Sequence, residues 1–394
     1  MLKVSSTAPV AGTPPPLEIV AKPIAVLRLM SLDVFRGATI AGMILVNNAG
    51  DEQVSYWPLK HAEWNGWTPT DLIFPFFLFI VGVAMAFSFK SRIERGESRE
   101  ELLKHVLWRG LILFALGLLL NGFPNQYHLA SWRVYGVLQR IAVCYVITAI
   151  LAVWSNRRGW IVTAVGCLAG YWILMRFVPV PGFGIPTHEV PLLDPDRNLV
   201  AWLDRKLLAG HLYEVTRDPE GVISTIPAIA TTLLGLLTGN WLRSTRSAKS
   251  KAAGLLWFGL AGIVLGEVCN IWFPINKKLW TSSFVIFTAG LALLCLALCY
   301  WLLDIQQWRG RWTTPFRVFG MNAIAAYVFA EGISHCLDHI PAGPSQNLQE
   351  SLYQKLFVPL AAPANASLMY ALAFVLVCWA AMALLYRRGI FLKI

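Results

Sequence analysis

The sequence predicts an all-α protein, a polytopic integral membrane bundle of about ten transmembrane helices, and three observations carry that prediction. Hydrophobic residues make up 56% of the 394 and charged residues only 14%, with a mean hydropathy of +0.56, far from the soluble mixture. Apolar runs of roughly twenty residues, the length that crosses ~30 Å of hydrocarbon, recur along the chain. Lys and Arg collect in alternate connections between the runs. The net charge of +11 therefore reports orientation, and no nucleic-acid partner is expected.

Residues 1–26 are rich in Pro, Ala, Ser and Thr, carry no cleavable signal and are expected to be a disordered cytoplasmic tail. Residues 27–394 form one integral domain. Its apolar runs lie near 29–49, 69–89, 105–123, 134–154, 159–178, 221–242, 252–273, 280–303, 315–336 and 367–386. One set of connections holds Lys90, Arg92, Arg95, Arg99 and Lys104, then Arg157 and Arg158, then Arg243, Arg246, Lys249 and Lys251, then Arg309, Arg311 and Arg317. The positive-inside rule makes that side cytoplasmic, with both termini on it. The opposite connections are less basic, and the longest, 178–220, starts as a proline-rich irregular run. Within it Leu199, Trp202, Leu203, Lys206 and Leu207 follow helical spacing, which predicts a short interfacial helix.

Cys144, Cys167, Cys269, Cys295, Cys299, Cys336 and Cys378 lie in or at the ends of apolar runs and show no paired CxxC spacing. They read as core residues, and no metal is expected.

Polar residues inside or beside the spans carry the functional signal, because each costs free energy in hydrocarbon unless it is satisfied. Asp33, Arg36, Ile40, Met43 and Asn47 are three or four apart and share one face of the first helix. That face runs ~21 Å, fourteen residues at 1.5 Å each. It reads either as a local Asp33–Arg36 pair or as a polar track along an extended ligand. Asn48 follows, and then a loop on the exoplasmic side with His61, Trp64 and Asn65. Thr68-Pro69-Thr70-Asp71 is a capping box with proline at the first helical position, which accounts for Asp71 without catalysis and fixes the second helix beside His61. A neutral imidazole serves as base or nucleophile near pH 7, and amide donors such as Asn47 can stabilise an oxyanion. Arg140, Glu267, Asn322 and Glu331 lie within later helices and read as pocket residues or as buried structural pairs.

The stretches SLDVFRGATIAGMILVNN, HAEWNGWTPTDLIFPFFLFIVG, GVLQRIAVCY, DPEGVISTIPAIATTLLG, NKKLWTSSFVIFT and FGMNAIAAYVFAE resemble the transmembrane acetyltransferase family of heparan-α-glucosaminide N-acetyltransferase. They span residues 31 to 331, and the first two together are specific. The resemblance implies a helical bundle in a bacterial inner membrane that takes acetyl-CoA from the cytosol and acetylates the amine of a glucosamine-type sugar on the other side. His61 matches the family's proposed active histidine and Asn47 a nearby polar residue. Asp33, Arg36 and Arg317 are then the candidates for holding the CoA moiety, whose pantetheine arm is about as long as the ~21 Å track. The expected partners are acetyl-CoA, an amino sugar or glucosamine-terminated saccharide, and the lipid bilayer; a homodimer is compatible with this reading. An inward transporter of an amino sugar competes with the enzyme, since intramembrane Arg140, Glu267, Asn322 and Glu331 suit it too.

Overall fold

The computed structural model describes residues 29–124 and 127–392; the tail 1–26 lies outside them. Thirteen α-helices follow one another among the described residues: α1 (Met30–Asn47), α2 (Ile73–Glu94), α3 (Arg99–Gly122), α4 (Val137–Trp154), α5 (Arg157–Phe177), α6 (Leu199–Leu207), α7 (Thr225–Leu242), α8 (Ala248–Asn270), α9 (Ser282–Tyr300), α10 (Thr313–Met321), α11 (Ala323–His339), α12 (Leu348–Leu356) and α13 (Pro363–Arg387). The all-α architecture matches the sequence. Among the described residues, eight helical segments are long and apolar enough to cross a membrane. The other two apolar runs are α1, which carries Asp33 and Arg36, and α10–α11, which breaks at Asn322.

The breaks have local causes. Ser98 and Glu101 form a reciprocal capping box at the start of α3, and Asn156, Asn198, Ser247 and Asn347 each accept a backbone N–H at the start of α5, α6, α8 and α12. Each such cap stabilises its helix by ~1 kcal/mol. At the α10–α11 break Asn322 is fully buried; its Nδ2 donates to Ile390 O (3.2 Å) and its Oδ1 accepts from Leu392 N (3.0 Å). The amide so satisfies the peptide groups of the tail beyond α13.

Helices α2, α7 and α9, with α1 and α4, form the inner bundle, while α5 and α8 turn most of their surface outward. Glycine permits the two tightest crossings. A Cβ at Gly82 would collide with Thr232 O and one at Gly235 with Phe79 O, so α2 and α7 touch backbone to backbone. Gly37 and Gly320 do the same for α1 and α10, against Phe316 O and Asp33 O. Small residues are the usual means of such close approach where lipid supplies no hydrophobic drive.

Helix α6 is present, but its buried face differs from the spacing of its large residues. Leu199, Val200, Ala201 and Asp204 are buried, whereas Leu207 is exposed. A carboxylate sits at the centre of that inner face because Asp204 Oδ1 accepts from Val222 N (3.0 Å) and pins the chain entering α7.

Candidate active site

The site starts from the turn that opens α2. Thr68 and Asp71 cap it reciprocally, as the sequence predicts, and the carboxylate then does more than cap. Asp71 Oδ2 accepts from Thr68 N (3.0 Å) and Ala62 N (3.0 Å), folding the preceding loop back over the helix start. Thr68 Oγ1 donates to Lys60 O (2.6 Å) and Thr70 Oγ1 to Pro58 O (3.0 Å), which closes the loop from its other end. With Oδ2 so occupied, Oδ1 is left for His61, whose Nδ1 lies 2.7 Å away. Asp71 is 1% exposed and His61 49%, so a buried anion holds a ring that remains open to ligand.

Lys277 completes this group, and it is the residue the sequence reading missed. Its Nζ lies 3.4 Å from Asp71 Oδ1, 2.9 Å from His61 Nδ1 and 3.4 Å from His61 Nε2. The shortest of these contacts suits the tautomer in which Nδ1–H donates to Asp71 Oδ1, the ammonium donates to the same carboxylate, and Nε2 is left as the ring's acceptor. Burial draws the Lys277 ammonium below the ordinary lysine range, and the Asp71 charge opposes that shift.

The turn that carries Lys277 is rigid. Asn276 Oδ1 accepts from Leu279 N (2.9 Å), Thr281 Oγ1 accepts from Asn276 N (3.0 Å) and donates to Pro274 O (2.9 Å). It is also sewn to the His61 loop. Gly66 N donates to Ile275 O (2.7 Å) and Asn276 Nδ2 to Asn65 Oδ1 (3.2 Å), at a left-handed Gly66 (φ 93°) that glycine adopts without strain. Asn65 thus joins two loops, and Trp64 Nε1 donates to Leu193 O (2.7 Å) in a third.

His61, Asp71 and Lys277 line a cavity of about 770 Å³ at one end of the bundle. Asn47 and Trp64 belong to its wall, as does α11 through Tyr327, Glu331, His335, Asp338 and His339. Asn47 Nδ2 donates to Glu331 Oε1 (3.4 Å). Arg133 grips Asp218 through Nε and Nη2 (3.0 and 2.8 Å) and Glu220 through Nη2 (2.6 Å), with Tyr213 stacked on it at 4.5 Å. Lys278 pairs with Glu214 at 3.0 Å. The floor is apolar. Met43, Phe74, Val137 and Tyr327 separate the cavity from a second space of about 10 Å³ closed by Ile40, Phe77, Leu138, Ile141 and Ile324, with room for no more than one water.

The remaining candidates stand elsewhere. Asn48 donates to Ile44 O (2.8 Å) within α1. Arg140 is fully buried, donating to Gly221 O and Ser224 Oγ beneath the Trp280 ring. Glu267 is exposed near the end of α8 and accepts from Asn270, and Asn322 holds the tail. Asp33, Arg36 and Arg317 lie at the opposite end from His61. Arg36 Nη1 is 3.9 Å from Asp33 Oδ1 and 3.4 Å from Gly320 O. The polar face of α1 is therefore interrupted at Ile40 and Met43, where the floor closes.

These features define a polytopic helical membrane protein with a carboxylate-held histidine in a polar cavity above an apolar floor. A family model described as heparan-alpha-glucosaminide N-acetyltransferase, catalytic, matches residues 28–267. The human protein named heparan-alpha-glucosaminide N-acetyltransferase is 33% identical over a 359-residue alignment covering 76% of this chain and 52% of that protein. The mouse protein of the same name is 34% identical over 358 residues, covering 76% and 53%. The chain belongs to the heparan-alpha-glucosaminide N-acetyltransferase catalytic family, and it spans about half the length of these curated relatives.

Proposed function

We propose that this protein is a transmembrane acetyltransferase that uses acetyl-CoA to acetylate the amine of a glucosamine-type acceptor in the His61 cavity. The observation that carries the reading is the Nδ1–Asp71 bond of 2.7 Å, which leaves Nε2 as the ring's acceptor on a cavity wall. Acetyl-CoA supplies the activated acetyl thioester. His61 Nε2 takes the proton that the amine sheds as the amide forms. Asp71 keeps the ring in the required tautomer and stabilises the imidazolium. Asn47 is the amide donor nearest the α1 end of the wall, suited to a developing oxyanion, and Glu331 suits the acceptor's ammonium before it is deprotonated.

A volume of about 770 Å³ falls within the ~300–1,000 Å³ range of small-molecule sites, enough for a monosaccharide beside an acetylated thiol arm. The arm has to part Met43, Phe74, Val137 and Tyr327 to arrive from the far side. Arg36 and Arg317 are the cations suited to the nucleotide phosphates there. The positive bias of the connections supports a cytoplasmic location for that side, with His61 on the other, in keeping with a bacterial inner membrane and cytoplasmic termini.

Purified protein in detergent with labelled acetyl-CoA and glucosamine tests the reading. Label is expected on the sugar amine in wild type and not in His61→Ala. Movement of glucosamine into vesicles without consumption of acetyl-CoA would instead make the protein a transporter.

A further inference from the structure

Lys277 places a primary amine 2.9 Å from His61 Nδ1 and 3.4 Å from Nε2, on the wall of the same cavity. We propose that Lys277 is itself an acetylation site of this protein, an acceptor built into the active site that Asp71 restrains by pairing with its ammonium form. The inference rests on the acyl-transfer reading above. That reading requires an acceptor amine within reach of the imidazole, and Lys277 meets the requirement without having to bind. Held groups of this kind react with effective molarities of ~10⁵ M or more when aligned.

The restraint is electrostatic, because an ammonium has no lone pair with which to attack. Asp71 Oδ1 lies 3.4 Å from Nζ, and Asp71 and Glu220 both favour the charged form. Burial and Lys278 oppose it, although Lys278 is itself tied to Glu214. His61 faces the same amine. With burial the largest influence, the free base is commoner on Lys277 than on an exposed lysine at equal pH. The turn 274–281, pinned by Asn276 and Thr281, fixes the backbone from which the Lys277 side chain extends.

The step is balanced without a further reactant. Lys277 first loses one proton to solvent; its neutral Nζ then attacks the thioester carbonyl carbon, forming the C–N bond. The C–S bond breaks and CoA leaves as thiolate. The second Nζ proton passes to His61 Nε2 and on to the thiolate, leaving an amide and CoA thiol with no change of oxidation state. Acetyl-Lys277 carries no charge to pair with Asp71 and sets an acetyl group against His61. Modification is therefore self-limiting for acetylation of an external amine.

The full-length protein in detergent is incubated with labelled acetyl-CoA, with and without glucosamine, at about pH 6.5 and about pH 9, below and near the ordinary lysine range. Peptide mass spectrometry then reads label at Lys277 in wild type and Lys277→Arg. Expected is label at Lys277 that rises at least ~10-fold at the higher pH, a one-unit change in ionisation being tenfold, falls when glucosamine competes, and is absent from Lys277→Arg. The pH comparison uses wild type alone and needs no variant to fold. Glucosamine acetylated while Lys277 stays bare overturns this inference and leaves the acyl-transfer reading standing. Equal label on exposed lysines also overturns it, as chemical acetylation. Label at Lys277 with no acetylated sugar keeps the inference and removes glucosamine as the acceptor; no label anywhere removes both.

Discussion

Asn47 of α1 donates to Glu331 of α11 at 3.4 Å, joining the first and the ninth apolar runs across the wall of the His61 cavity. The amide satisfies only one carboxylate oxygen, and His335 Nε2 stands 4.0 Å from the other. Glu331→Gln keeps the shape and removes the charge. Its expected effect is a KM for glucosamine raised about 10-fold, ~1.4 kcal/mol of binding, with kcat little changed, and Glu331→Asp should recover part of the loss. Titration of glucosamine into the purified variant provides a second measure, and unchanged affinity there would remove Glu331 from the acceptor site.

His61→Ala should retain CoA binding and lose amine acetylation by ~10²-fold or more, the usual worth of a positioned acid–base group. His105→Ala is the comparison, because that ring lies on α3 against Arg92 (2.9 Å) and away from the cavity. Steady-state rates with labelled acetyl-CoA decide. Acetylation near the wild-type rate by His61→Ala would exclude the imidazole from the reaction.

Asp204 links stability to pH. Burial pushes its carboxyl up to about 7 despite the hydrogen bond from Val222 N, against ~3.9 for the unfolded chain. The folded state therefore holds a proton that the unfolded state has lost. The stability that this proton confers is present below about pH 4, declines as pH rises through the interval, and is gone above about pH 7. Asp204→Asn keeps the oxygen that accepts from Val222 and cannot ionise. Its thermal midpoint in detergent should be higher than wild type at pH 8 and should lose most of its decline between pH 4 and 7; a parallel decline in both proteins would assign the pH dependence to other groups.

Gly82→Ala tests the backbone contact of α2 with α7, since the added methyl meets Thr232 O. Overpacking of this kind costs about 1–3 kcal/mol. A lower melting temperature is expected together with reduced activity, because α2 carries Asp71 at its entrance. Gly166→Ala on α5, where nothing lies within reach of a new Cβ, should melt as wild type does.

Orientation is open to direct chemical measurement. Cysteine placed at Ser98, an exposed position at the basic end of α3, should react with a membrane-impermeant thiol reagent only from the cytoplasmic side. Cysteine at exposed Ser345, between α11 and α12, should react only from the outside. Labelling of Ser345 from the cytoplasm would invert the proposed direction of transfer.

The helices were legible because their signal is length and apolarity, which survive any packing arrangement. The capping box at Thr68 was legible too, since it is written in four consecutive residues. Three things were not. Lys277 sits in a short turn between two apolar runs, and its partners His61 and Asp71 are more than two hundred residues earlier. The break at Asn322 lies inside a continuous apolar run, and only the tail bonds to Ile390 and Leu392 show why it is there. The inner face of α6 contains Asp204, and a pattern that counts large apolar residues points the helix the wrong way round. In each case the deciding partner is distant in the chain.

The floor of Met43, Phe74, Val137 and Tyr327 has a consequence for the membrane itself. A bilayer that stores an ion gradient discharges it through any unbroken file of water, and the interruption of the α1 polar face by two apolar turns interrupts that file. Protons and hydrated ions meet a desolvation barrier there. On the acetyl-transfer proposal, the thiol arm would bring its own methylene surface to replace the contacts it parts. In the proposed acetyl transfer this partition would open to an arm that fills the gap it makes, so the barrier to ions would persist during the reaction.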